Sequence, residues 1–191
     1  MKKYIVAAAL ILIIGVLFLW NRNPSYEQLR EGDIVFQTTW VGQSPIIIKA
    51  THSLDSHCGI IVKNSTGHLV VLEAMGTVRL TPLAKWRSQG VLGRFRAYRV
   101  FDKPVKVEYS EYLGKKYDYG FNFNDDKWYC SELVYDIYLK QFNTRLCIPR
   151  KLKDYSISGF ESVMQERGMS IEQFCVAPSD ISESTLLQTI K

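Results

Sequence analysis

His57-Cys58-Gly59-Ile60-Ile61-Val62 runs into a polar turn at Asn64 to Gly67, and His68-Leu69-Val70-Val71-Leu72-Glu73-Ala74 leads out of it. Apolar, β-branched flanks around a short turn predict a β-hairpin. Side chains alternate between the faces of a strand, so His57 is set opposite Cys58 and Ile60, and Glu73 shares a face with Leu69 and Val71. A carboxylate among apolar residues costs free energy unless it is paired. Glu73 therefore either meets a partner such as His57 or turns to water at the strand end.

The neighbouring segments extend the pattern on both sides. Ile34 to Thr38 reads as a strand after the Gly32-Asp33 turn. Ser44-Pro45 followed by Ile46 to Ala50 reads as an N-cap, an early proline and a short helix. Thr81-Pro82 is the same signal again, predicting a helix through Trp86, and Arg94 to Val100 alternates as a strand. Glu108 to Leu113 is expected to be helical. Cys130 to Phe142 carries Leu133, Val134, Ile137 and Tyr138 at helical spacing. A further helix is expected within Leu152 to Met169, broken by Gly159, and a last turn or short helix begins at Pro178. Strands cluster in the middle with helices to either side, which predicts an α+β domain with a central antiparallel sheet and flanking helices.

Cys130 is the first residue of its predicted helix. Unpaired N–H groups and partial positive charge at a helix N-terminus stabilise a thiolate, and the same N–H groups can hold a developing oxyanion. A base must stand nearby. Of the three histidines, His52 lies in a loop and His68 beside a turn glycine, whereas His57 opens a strand where its ring can emerge at the sheet edge. An imidazole in that role needs a group to set its tautomer, and Glu73 is the candidate.

The amino terminus differs from the rest. Lys2-Lys3 precede an uncharged apolar run from Tyr4 to Trp20, which as a helix would rise roughly 25 Å, the low end of a bilayer span. Bulky Phe18-Leu19-Trp20 stands where a cleavage site would need small residues, so residues 1–20 are expected to form an uncleaved anchor or signal, 21–31 a linker, and 32–191 the catalytic domain. Basic residues at the start favour that end inside, placing the domain on the extracytoplasmic side. The net charge of +5 is spread without basic-aromatic runs, so nucleic acid is not implied as a partner. The cysteines at 58, 130, 147 and 175 lack the paired spacing of a zinc site. Cys147 and Cys175 either pair in an oxidising compartment or remain free buried thiols.

Four segments together carry a resemblance: Ser56-His57-Cys58-Gly59-Ile60, Leu72-Glu73-Ala74-Met75-Gly76, Leu113-Gly114-Lys115-Lys116-Tyr117-Asp118-Tyr119, and Tyr129-Cys130-Ser131-Glu132-Leu133-Val134. They resemble the permuted papain-like amidases, the YiiX/YaeF-like branch of the NlpC-type superfamily. In ordinary papain-like enzymes the Cys helix precedes the His strand. Here His57 and Glu73 come first, as in the circularly permuted branch. Gly32-Asp33-Ile34, Thr81-Pro82-Leu83 with Trp86, and Val176-Ala177-Pro178-Ser179-Asp180 resemble further landmarks, so the likeness runs from about Gly32 to Asp180.

The resemblance implies a circularly permuted papain-like fold with Cys130 as nucleophile, His57 as general base and Glu73 as the third, orienting member. It places Tyr117 at the substrate cleft, and Tyr129 stands beside the nucleophile as a second candidate lining residue. Cys58 falls where Thr or Val is expected and reads as a strand core residue. The implied activity is that of a cysteine amidase or peptidase acting through a thioester, with peptides, peptidoglycan fragments or acylated small molecules as substrates and no metal or organic cofactor. Two rivals remain: a lipid acyltransferase or thioesterase using the same site, and a membrane-tethered binding module without catalysis. A long apolar groove beside Cys130 would favour acyl chains, a short polar cleft peptides, and selective labelling of Cys130 would exclude the binding module.

Overall fold

The predicted hairpin is the centre of a six-stranded antiparallel sheet. The computed structural model describes residues 23–123 and 125–191, together with Tyr4 and Gly15. The predicted membrane anchor thus lies outside the described residues, among which no helix is long and apolar enough to cross a membrane. The strands are β1 (Ile34–Gln37), β2 (His57–Lys63), β3 (Leu69–Met75), β4 (Thr77–Pro82), β5 (Arg96–Arg99) and β8 (Gln188–Ile190), in the order β4-β3-β2-β1-β5-β8. A separate pair joins β6 (Arg150–Lys151) and β7 (Phe174–Cys175). The helices are α1 (Ser44–Thr51), α2 (Leu83–Gln89), α3 (Cys130–Phe142), α4 (Glu161–Glu166) and α5 (Pro178–Ser182).

Strand alternation sorts the core into two layers. Phe36, Cys58, Ile60 and Leu72 face α3, whose Leu133, Val134, Ile137 and Tyr138 cover that side of the sheet. Val35, Ile61 and Val71 face the other way and bury against Trp86 of α2 and Phe95. A third cluster, including Tyr129, Leu152, Tyr155 and Met164, lies under the C-terminal segments. The amphipathic spacing read for α3 therefore positions the candidate nucleophile. Once its apolar stripe docks on β2, its first residue is carried to the end of the sheet where β2 begins.

The structure corrects several local expectations. The helix expected after Thr81-Pro82 forms as α2 with Pro82 as its N-cap, but without a side-chain capping bond, and both residues also end a strand. Gly76, with φ +74°, turns the chain directly into β4, which pairs with β3 from Met75↔Thr77 to Val70↔Pro82. β4 is an edge strand, where proline's missing N–H is tolerated. Ser44 is the first residue of α1, with Gln43 as its cap. Glu108 to Leu113 is irregular with one turn and no helix. Its groups are committed elsewhere: Glu108 N–H donates to Gln141 (2.9 Å), and the Tyr109 and Tyr112 hydroxyls donate to Lys63 O (2.9 Å) and Asp136 (2.8 Å). The stretch read as a linker is folded from Asn23, which bonds Gly93 and Phe95, while Leu29 is buried. Only Glu161–Glu166 of the segment from Leu152 to Met169 is α-helical, after a 3₁₀ turn at Leu152–Asp154.

Candidate active site

The ladder between β2 and β3 runs from Lys63↔Leu69 to Ile60↔Leu72 and stops short of His57 and Glu73. β1 still holds His57 through its pairing with Gln37. In this end of the sheet the His57 ring lies against Trp86, with centroids 5.0 Å apart, and its Nε2 meets Glu73 Oε2 at 2.7 Å. Glu73 is fully buried and does not turn to water. Its other oxygen accepts from Arg79 Nε and Nη2 at 3.1 and 3.0 Å, and from the Thr81 hydroxyl at 2.5 Å. Arg79 is the cross-strand partner of Glu73, so β4 supplies the carboxylate's support. With Nε2 taken by Glu73, Nδ1 is the nitrogen left to face Cys130, whose thiolate favours the protonated imidazole.

Cys130 is 2% exposed, and no side chain caps Tyr129 before it among the described residues, so the leading N–H groups of α3 are left for a ligand. The Cys58 side chain, which bonds the Cys130 sulfur, pulls that thiol well below the usual range. Burial opposes this, while His57 and the Cys58 N–H add to the lowering. Cys58 itself is pushed well up by burial and by the neighbouring thiolate, so it keeps its proton and donates. Burial alone would lower His57, but Cys130 and then Glu73 outweigh it and raise the imidazolium to about 9. Glu73 is lowered because His57, Thr81 and Arg79 overcome its burial. The arrangement favours a thiolate-imidazolium pair at neutral pH.

Tyr117 also reaches the site. Burial first, and then the Cys130 thiolate, hold its hydroxyl well above the usual range, so it stays protonated. Its ring packs at a tilt against Tyr119, centroids 4.9 Å apart, and lines the cleft on the His57 side. Tyr129 forms part of a cavity wall beside Cys130, and its hydroxyl accepts from Val176 N–H at 3.1 Å. His52 and His68 stand apart, bonded to Ser156 and Thr66. All four cysteines are free, and burial pushes Cys147 and Cys175 each up to about 12. Sequence reasoning missed Arg79, Thr81 and the Cys58 contact. Alternation set Arg79 and Thr81 on one face, but only recognition of β4 as a strand would have aimed them at Glu73.

Glu132, on the first turn of α3, is buried, and burial raises its carboxyl to about 9. It is therefore neutral at pH 7, and no second anion faces the Cys130 thiolate from within the same helical turn. The unfolded chain releases this proton near ~4.3. Its contribution to stability is thus complete below that value and is lost as pH rises towards 9. Glu132→Gln removes this penalty. Melting curves should show no advantage for the variant below about pH 4 and a growing one, on the order of a few kcal/mol, up to about pH 9. Parallel curves for the two proteins would contradict the assignment.

The model of a family described as permuted papain-like amidase enzymes, YaeF/YiiX, C92 family, matches residues 28–191. Protein YiiX of Escherichia coli (strain K12), which is uncharacterized, is 32% identical over 190 residues, covering 92% of this chain and 93% of that protein. The crystal structure described as metalloprotein yiiX from Escherichia coli O157:H7 superposes with a TM-score of 0.75 at 32% identity, covering 86% of this chain and 97% of that one.

Proposed function

The chain belongs to the permuted papain-like amidase enzymes of the YaeF/YiiX, C92 family, and on that footing we propose that it hydrolyses an amide through a thioester on Cys130. The observation that carries this reading is the buried His57–Glu73 pair, held by Arg79 and Thr81, beside Cys130 at the start of α3, each raising or lowering the other's pKa. The thiolate attacks the carbonyl carbon and the new oxyanion rests on N–H groups at the start of α3. Collapse of the adduct breaks the C–N bond as His57 gives its proton to the leaving amine. His57 then takes a proton from water, whose oxygen attacks the thioester to release the acid and return the thiolate. Glu73 keeps the imidazole in the tautomer that faces sulfur. An anchor at residues 1–20 would hold this chemistry on the extracytoplasmic side of the membrane.

The metal named for the Escherichia coli structure finds no ready site here. Among the described residues no group of three or more His, Cys, Asp or Glu side chains is placed to hold an ion.

The test is rapid quenching during amide turnover, followed by mass mapping. An acyl adduct on the peptide containing Cys130 is expected, and turnover without one would contradict the thioester. The pH profile gives a second check. Both thiolate and imidazolium are needed for acylation, so kcat/KM should fall as pH rises past about 9, where His57 loses its proton. Its acid limb should lie well below an ordinary thiol. A rate still climbing beyond pH 9 would contradict the ion pair.

A further inference from the structure

One end of the sheet carries His57, and the amino-terminal chain arrives at that same end. Asn23 donates to Gly93 O at 2.9 Å and accepts from Phe95 N–H at 3.0 Å, just before β5 begins. β2 and β5 both run antiparallel to β1, so their starts lie together with the end of β1. The apolar run from Tyr4 to Trp20 stops three residues short of Asn23. Three residues of extended chain reach at most about 11 Å. If the run spans a bilayer, the His57 end of the sheet is held at the membrane surface.

What this end exposes fits such a surface. Thr38 follows β1; its carbonyl accepts from Val91 N–H at 2.9 Å, and its hydroxyl donates to Leu54 O at 2.7 Å. The two loops so joined present Leu54 (66% exposed) and Leu92 (57%), and the chain after Thr38 presents Trp40 (63%) and Val41 (61%). Large apolar side chains clustered in the open mark a contact surface, and tryptophan concentrates at the headgroup level of membranes. Leu92 also holds φ +56°, a conformation that suits Gly or Asn far better than a bulky apolar residue.

Charge points the same way. Residues 34–54 and 74–101, which supply β1, α1, β4, α2 and β5, contain seven basic and no acidic residues, against 24 and 19 in the whole chain. Arg87 is exposed and donates to Gly93 O beside Leu92, and Arg94 follows directly. The next acid along the chain, Asp55, is already answered by Arg96. Anionic lipid attracts a basic face of this kind. So short a tether leaves room for the lipid surface but not for a second protein.

We propose that Trp40, Val41, Leu54 and Leu92 form a second membrane contact, which seats the His57 end of the sheet on an anionic bilayer surface. Val41 also lines the cleft on the His57 side, so the mouth of that cleft is held at headgroup level. The contact is independent of the thioester chemistry but rests on the anchor at residues 1–20.

The test uses the full chain reconstituted in vesicles of phosphatidylcholine and phosphatidylglycerol, with Trp40→Phe as the matched variant. Subtracting the variant's fluorescence from that of wild type isolates Trp40 from Trp20, Trp86 and Trp128. Trp40 emission should be blue-shifted, and it should be lost when the lipid chains are brominated. Arg87→Glu with Arg94→Glu should weaken both effects, as should vesicles of phosphatidylcholine alone. A Trp40 spectrum of indole in water, unquenched in protein that floats with the vesicles, overturns the contact and leaves the anchor. Signals unchanged by the arginine variants and by loss of the anionic lipid overturn the anionic surface as the partner. Protein that does not float overturns anchor and contact together.

Discussion

Cys130→Ala and His57→Ala each lose at least about 10³-fold in kcat on any amide the wild-type protein turns over, and the double variant is no worse than either single one. The reason is geometric. The sulfur is a strong nucleophile only as the thiolate that His57 and Cys58 stabilise, and the imidazole is an acid near neutral pH only because Cys130 and Glu73 raise it to about 9. Removing either member leaves the oxyanion N–H groups of α3 in place but nothing for them to stabilise. Both variants should remain folded, since the contacts of α3 with β2 lie along Leu133, Val134 and Ile137. Equal turnover by Cys130→Ala and wild type, in samples with the same melting curve, would end the claim.

The second large effect is at Glu73. Truncation to alanine leaves Thr81, Arg79 and His57 facing a buried void with no acceptor. Breaking a buried charge network in this way costs about 3–5 kcal/mol. Glu73→Gln separates this loss from the chemistry. Its amide oxygen can still accept from Arg79 and Thr81, but its NH₂ donates towards His57 Nε2 and places the imidazole proton on Nδ1, facing sulfur. The neutral imidazole can then no longer take a proton from the thiol, and rates should fall on the order of 10³–10⁴-fold. The alkaline limb of kcat/KM should also move down from about 9, because the charge that helped raise His57 is gone. Thermal unfolding and a pH–rate series on the two variants check this. A Glu73→Gln protein with wild-type rates and an unmoved limb would remove Glu73 from the mechanism.

The parts of this site written in strong local patterns were legible in the sequence. The apolar spacing from Leu133 to Tyr138 gave α3 its bounds at Cys130 and Phe142. The turn at Asn64 to Gly67 gave the hairpin that holds His57 and Glu73. The order of His, Glu and Cys carried the family resemblance. The supporting residues were not legible, because local signals there compete with long-range pairing. Thr81-Pro82 does lead into α2 at Leu83, but Gly76 had already turned the chain back onto β3, so both residues also end an edge strand that the local signal does not show. Glu108 to Leu113 has helix-forming residues, but α3 and β2 draw its hydrogen bonds away from its own backbone. β8 pairs with β5 across nearly half of the chain length, a contact no local window contains. Cys58 was placed correctly by alternation as a core residue, and its bond to the Cys130 sulfur depended on where α3 would start in space.

Alkylation of the four cysteines, followed by mass spectrometry at mildly acidic pH, tests the central arrangement most directly. Burial pushes Cys147 and Cys175 up to about 12 and holds Cys58 well above the usual thiol range, while Cys130 is drawn well below it. Cys130 should therefore be the single rapidly labelled site in the wild-type protein, and His57→Ala should slow its labelling towards that of the others. Labelling of Cys130 no faster than Cys147, or unchanged by His57→Ala, would contradict the thiolate-imidazolium pair.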